Sequence, residues 1–406
     1  MSKQKKGLLP ELRFPEFEKE PNWPCVQLNA VAKRSTSKNK GEKVSRVLTN
    51  SAVGGVVDQR DYFEKDIAVK GNLESYYIVD EGDYVYNPRI SSTAPVGPIS
   101  KNKLGKGVMS PLYTVFRFNS KKNDFFEQFF KSSRWHGYLQ TISNSGARHD
   151  RMSITSSEFM AMPVPNPGDM EQQKIADCLT SIDELITLHT QKLDALKDHK
   201  KGLMQKLFPT EGEAVPKLRF PEFNAKGAWK TYPLGSAGQN LDSKRVPITE
   251  KDRVKGNFPY YGASGVIDYV NDYIFDEELL CISEDGANLR ARTYPIAFSI
   301  AGKTWVNNHA HVIRFEHKST QTLVENYLNS VSLEDYLTGM AQPKLNRAKL
   351  DIIPIPLPSL EERAVIADFL TSLDELISHQ ASTVENLVKH KKGLIQKLFP
   401  VMDEVN

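Results

Sequence analysis

Two stretches decide the fold: EQQKIADCLTSIDELITLHTQKLDALKDHKKGLMQKLF (Glu171–Phe208) and ERAVIADFLTSLDELISHQASTVENLVKHKKGLIQKLF (Glu362–Phe399). Alternating steps of four and three residues through the first give Ile175, Leu179, Ile182, Ile186, His189, Leu193, Leu196, Lys200, Leu203 and Leu207. The second gives Ile366, Leu370, Leu373, Ile377, Gln380, Val384, Leu387, Lys391, Leu394 and Leu398. Eight of the ten positions in each series are apolar, and the polar exceptions fall at the same two places. A 4-3 spacing held this long is the period of a coiled-coil seam, not of a strand. At about 1.5 Å per residue, each helix is roughly 55–60 Å long. Two unrelated helices, each lying on its own domain, are the simpler reading. A stripe of that length has no flat globular surface to cover, so the expected partner of each seam is the other. His189 and Gln380 then become buried polar residues near mid-helix, a device that fixes register at some cost in stability.

The duplication extends beyond the helices. LPELRFPEF (Leu9–Phe17) returns as VPKLRFPEF (Val215–Phe223), an offset of 206. YTVFRF (Tyr113–Phe118) returns as AHVIRF (Ala310–Phe315), an offset of 197, and the segments starting at Pro163 and Pro354 match at 191. Landmarks keep their order while the offset shrinks, so the chain is two copies of one module with insertions in the first. In each copy an LRFPEF lead-in precedes a Trp (Trp23, Trp229) and a region of short strand-like runs broken by Gly, Pro and Asn. The best strands are IAVKGNLESYYIV, GDYVYNP, YTVFRF, YIFDEELLCI, PIAFSIAG and HVIRF. Prolines at alternate positions (Pro163, Pro165, Pro167; Pro354, Pro356, Pro358) then exclude helix and impose an extended lead-in. The long helix starts directly after, with Asp169 or Ser359 as N-cap, and ends at LFP. The predicted organisation is a mixed α/β globe over 1–168, a helix over 169–209, a second globe over 210–358, and a helix and tail over 359–406. The fold class is α+β: two similar domains joined by two long antiparallel helices in a pseudo-two-fold arrangement. The last residues read as if they could lead back into the first.

The 406 residues suffice for two to four domains with real cores. A net charge of +3 neither predicts nor excludes nucleic-acid binding, because mixed charges on a bundle can dilute basic clefts. The three cysteines, Cys25, Cys178 and Cys281, are scattered and form no CxxC, which fits a reducing cytoplasm. MSKQKKGLLP lacks the apolar core of a signal peptide, and no apolar run is long enough to span a membrane.

No catalytic constellation emerges. Gly302-Lys303-Thr304 ends like a phosphate loop but lacks its first glycine. His309 and His311 share a face without a third ligand nearby, so no metal is expected. Asn87-Pro88-Arg89-Ile90 lacks the second proline and the aromatic of an amino-methyltransferase loop. Glu284-Asp285-Gly286 lacks the spaced lysine of a nuclease core and reads as a turn. What remains are loops mixing Arg and Lys with Ser, Asn and Gly: Arg89 with Ser91; Arg148, His149 and Arg151; Lys244 and Arg245; Asn288, Arg290 and Arg292; Lys344 and Arg347. Arg and Asn at loop tips can pair with base edges, and Lys and Ser can hold phosphates. RHDR (148–151) and KLNR (344–347) occupy corresponding places before the proline-spaced segments.

These signs together resemble the DNA-specificity subunit of type I restriction-modification systems. The resemblance covers nearly the whole chain. It rests on the duplicated LRFPEF lead-ins, the PxPxP helix starts, the KKGL[MI]QKLFP endings, and FPYYGASGVIDYV, CISEDGA and GKTWVNNHAHVI in the second copy. It implies two target-recognition domains, each reading half of a bipartite DNA site, with the helices setting the spacer and docking two methylation subunits. It places S-adenosylmethionine on those partners, and ATP and Mg on restriction subunits that can join, with no catalysis or cofactor on this chain. The first copy lacks the YYGASG and NNHAH strings, so contact residues do not carry from one copy to the other. A coiled-coil adaptor whose globes bind protein is the competing expectation; steep salt dependence of binding would separate the two.

Overall fold

A computed structural model describes residues 7–62, 71–143, 150–210 and 212–402. The chain divides into two compact units, one holding residues 1–188 and 384–406 and the other residues 189–383. Both long helices, Asp169–Leu207 and Leu360–Leu398, are therefore shared between units rather than forming domains of their own. The reason is packing. Ile175, Leu179, Ile395, Leu398 and Phe399 are part of the first unit's core, and Met204, Leu207, Phe208, Ile366 and Leu370 of the second's.

The units repeat one topology. In the first, a four-stranded antiparallel sheet runs in the order Ala32–Ser35, Thr114–Phe118, Tyr84–Tyr86, Ile99–Lys101. In the second, the order is Gln239–Asn240, Ala310–Arg314, Leu279–Ser283, Ala297–Ile300. The second unit adds another four-stranded sheet built on the hairpin of Lys255–Gly262 and Gly265–Val270. The proline-spaced segments are not merely extended. Pro163–Pro165 pairs with Cys25–Gln27, and Pro354–Leu357 with Lys230–Pro233. Leu28 N donates to Met162 O, and Leu234 N to Ile353 O. Those bonds set the residues between the prolines toward the partner, so the missing N–H groups fall on the open edge.

The LRFPEF lead-ins lock the helix ends. In the first unit Leu12 N donates to Lys397 O, while Arg13 forks onto Glu171 at 2.7 and 2.8 Å. In the second, Leu218 N donates to Lys206 O and Arg219 forks onto Glu362, both bonds at 2.7 Å. Each lead-in thus touches the start of one long helix and the end of the other, as an antiparallel pair requires. The first helix begins at Asp169 itself, with Gln172 N bonded to Gly168 O, so Asp169 is not the cap. Ser359 is the cap of the second: its Oγ accepts from Glu362 N at 3.3 Å.

Along the helices Ile175, Leu179, Leu193, Ile366, Leu370 and Gln380 are buried. Ile182, Ile186, His189, Leu196, Leu373, Ile377, Val384 and Leu387 are half-buried. The polar exceptions are matched. Lys391 pairs with Asp183 at 2.5 Å in the first unit, and Lys200 with Asp374 at 2.6 Å in the second. Burial pushes the Lys391 ammonium down, against the pull of Asp183. Gln380 Nε2 donates to His189 O at 2.8 Å and to His189 Nδ1 at 2.9 Å. The backbone carbonyl fixes the amide orientation, and Nδ1 must then be the accepting nitrogen. Equivalent residues of the two repeats thus meet each other. Gln380→Leu is expected to destabilise by about 1–2 kcal/mol, because His189 loses its donor. Adding His189→Leu should recover most of that loss, since an apolar pair needs no hydrogen bond. Thermal unfolding of the three chains checks this, and a double variant no better than the single one would rule it out.

Candidate nucleic-acid interface

Arg89 in the first unit follows the strand Tyr84–Tyr86. Asn87 Oδ1 accepts from Arg89 N at 3.0 Å, and Asn87 Nδ2 donates to Asn50 O at 2.9 Å, which fixes the turn. Ser91 closes the next turn, its Oγ accepting from Ala94 N at 3.1 Å. Arg89 and Arg151 stand opposite one another in an antiparallel bridge at the edge of a cleft of about 390 Å³. Thr49 and Tyr113, hydrogen-bonded to each other at 2.9 Å, also line the cleft. Arg148 and His149 lie outside the described residues.

The second unit treats its candidates differently. Arg245 is nearly buried: Nη1 donates to Glu284 and to Ala310 O, each at 2.8 Å. His311 is buried beside it, with Nε2 donating to Leu345 O at 2.7 Å and Nδ1 2.6 Å from Asp242. Burial raises the Asp242 carboxyl, but its hydrogen bond to His311 and the nearby cations outweigh this and leave it below the usual range. Glu284 is likewise raised by burial and held below the usual range by Arg245, His311 and Lys344. Arg292 sits at φ +51° and donates to the carbonyls of Leu289, Leu328 and Val331, closing the end of the helix Lys318–Ser330. Its burial lowers the guanidinium pKa. Asn288 is buried, holding Tyr294 O and Thr293 Oγ1. Arg245, Asn288 and Arg292, grouped on sequence with exposed loop tips, are thus bonded inside the fold, because nearby carbonyls and carboxylates take up their polar groups. Arg290 is divided between Glu334 and Met340 O. Lys244, Lys344 and Arg347 remain outward, with Lys344 3.2 Å from Glu284 and Arg347 3.5 Å from Asp351.

Sequence reasoning passed over the aromatic edge of the second unit. Tyr269 and Tyr294 are exposed, and Lys303 Nζ lies 4.8 Å from the Tyr273 ring centre. The Gly302-Lys303-Thr304 run is therefore a turn entering a strand, with its lysine over an aromatic face. The Tyr and Val spacing of FPYYGASGVIDYV was the available signal. Among the described residues no group of three or more His, Cys, Asp or Glu could hold a metal ion, and no helix is long and apolar enough to cross a membrane.

Two stretches, 35–198 and 226–389, match one family description, the type I restriction modification DNA specificity domain. The chain belongs to that family. Two specificity domains thus fall in tandem, each including most of a main sheet and most of one long helix. A type I restriction enzyme specificity subunit of Haemophilus influenzae is 37% identical over 150 residues, covering 37% of this chain and 38% of that protein. The MjaX specificity subunit of Methanocaldococcus jannaschii is 26% identical over 276 residues, covering 62% of this chain and 61% of that protein. The matched stretches thus span less than two thirds of either relative. In fold, the specificity domains resemble the crystal structure of the S subunit from M. genitalium, with a TM-score of 0.62 at 14% identity, over 97% of this chain and 100% of that one.

Proposed function

We propose that the chain is the non-catalytic DNA-recognition subunit of a type I restriction-modification complex. Each unit reads one half of a bipartite site, and the paired helices set the unread spacer. The observation that carries this reading is the tandem pair of specificity domains on two units with the same sheet order. The long helices also dock two methylation subunits, which bring S-adenosylmethionine; restriction subunits bring ATP and Mg. Leu185 of the first helix and Leu376 of the second, at equivalent places in the two repeats, are both exposed, as is Leu188. The test is selection of bound sequences from random duplexes by the chain assembled with its methylation subunits. Two short blocks separated by an unread gap, with affinity falling steeply as salt rises, are expected. One contiguous block would reject the two-reader arrangement. Capture of protein with no salt-sensitive DNA binding would instead favour an assembly adaptor.

A further inference from the structure

The two units place the same backbone crossing beside their main sheets. In the first, Ile90 N donates to Asp150 O at 3.0 Å and Met152 N to Pro88 O at 2.9 Å. Those bonds bracket Arg89 and Arg151. In the second, Gly286 N donates to Pro343 O at 3.1 Å and Leu345 N to Glu284 O at 2.7 Å, bracketing Asp285 and Lys344. The strands before the crossings also correspond. Tyr84 faces Phe116 in one unit, and Leu280 faces Ile313 in the other. The crossing pair is of the non-hydrogen-bonded kind, with Cα atoms about 4.5 Å apart and side chains on one face.

Charge differs at this shared position. The second unit sets Asp285 opposite Lys344 and adds His309, 2.8 Å from Asp285, and Glu284, 3.2 Å from Lys344. The first unit sets arginine opposite arginine, an arrangement that is destabilising by itself. Among the described residues the nearest carboxylate, Asp150, is exposed and stands 3.9 Å from Arg89 and 3.7 Å from Arg151, beyond hydrogen-bond reach. Neither guanidinium donates a side-chain hydrogen bond within the described residues, whereas Arg13, Arg117, Arg245, Arg292 and Arg314 all do. Both line the 390 Å³ cleft. Asn50, also lining it, is buried, and its Oδ1 has no partner among the described residues.

We propose that Arg89 and Arg151 form a two-guanidinium grip on the DNA duplex, and that the first unit alone has it. Resting on the DNA-recognition reading above, the grip takes a group presenting two hydrogen-bond acceptors on one edge. A backbone phosphodiester and the O6/N7 edge of guanine share that chemistry, and arginine forks match both. The like-charge pair is held together by the backbone bonds that bracket it and relieved when the acceptors arrive. The second unit, neutral at its crossing, grips its half-site elsewhere.

The variant that separates grip from scaffold is Arg89→Asp, which gives the first unit the opposite-charge crossing of the second. The full chain with Arg89→Asp should melt no lower than wild type, yet, assembled with its methylation subunits, bind the selected duplex about tenfold to a hundredfold more weakly. A phosphate partner predicts that Arg89→Lys keeps most affinity and that Arg89→Asp flattens the salt dependence by about one ion, with base preference unchanged. A guanine partner predicts that Arg89→Lys relaxes selection at one base pair of one half-site. Unchanged affinity, salt slope and selected sequence in Arg89→Asp overturn the grip while leaving DNA recognition standing. A wild-type chain that retains no duplex when assembled with its methylation subunits overturns both.

Discussion

Arg219→Ala is expected to remove about 3–5 kcal/mol from the stability of the second unit, because it leaves a buried carboxylate without its cation. The Arg219 and Glu362 side chains are only 7% and 1% exposed. The guanidinium forks onto both carboxylate oxygens and also donates to Lys226 O and Gly227 O. Glu362 accepts in addition from Trp229 Nε1 at 3.3 Å. The hydrogen bond to Glu362 raises the guanidinium pKa above its usual value, and a guanidinium is in any case always charged in proteins. Lysine cannot fork, so Arg219→Lys should recover only part of the loss. The readout is amide exchange in the second unit together with the melting midpoint. A midpoint within the error of wild type would show that the lead-in is ornamental to the fold.

Inserting one heptad into each long helix, at points that face one another, is expected to abolish recognition of the native site and create recognition of another. Seven residues preserve a 3.5-residue repeat, so the seam continues unbroken. They lengthen each helix by about 10.5 Å, roughly three base pairs at about 3.4 Å each. The His189–Gln380 contact marks facing positions for the two insertions. The new site should carry the same two blocks with about three more unread pairs between them. Selection of bound sequences from random duplexes by the variant assembled with its methylation subunits decides the matter, and altered blocks would reject the ruler. A heptad in one helix alone should instead misalign the seam and lower stability.

How much of this was legible in the sequence follows from the range of the forces involved. The long helices, the duplicated lead-ins and the proline-edged strands are written in local spacing, and Gln380 meets His189 as the common 4-3 position of the two repeats implies. The division of each helix between two units was not legible from boundaries alone. It depends on Phe399 packing on Phe125 and Phe129, and Phe208 on Tyr327, across long sequence separations. Loop cations were the least legible. Arg89 and Arg292 look alike in a string of letters, yet one faces a cleft and the other caps a helix through carbonyls 36 and 39 residues away. Only the fold says which carbonyls a guanidinium will find.

The borrowing of helix ends carries an ancestral implication. Neither repeat contains everything its own core needs: the first repeat's aromatic cluster is finished by Phe399, and Phe208 is given to Trp229 and Tyr327 of the second. Because both plugs read KKGL-x-QKLFP, a single-repeat forebear would have had a matching plug to exchange with a sister molecule. Fusing the two genes would then have turned an encounter between molecules into a permanent bond, freeing either half to diverge without losing its mate.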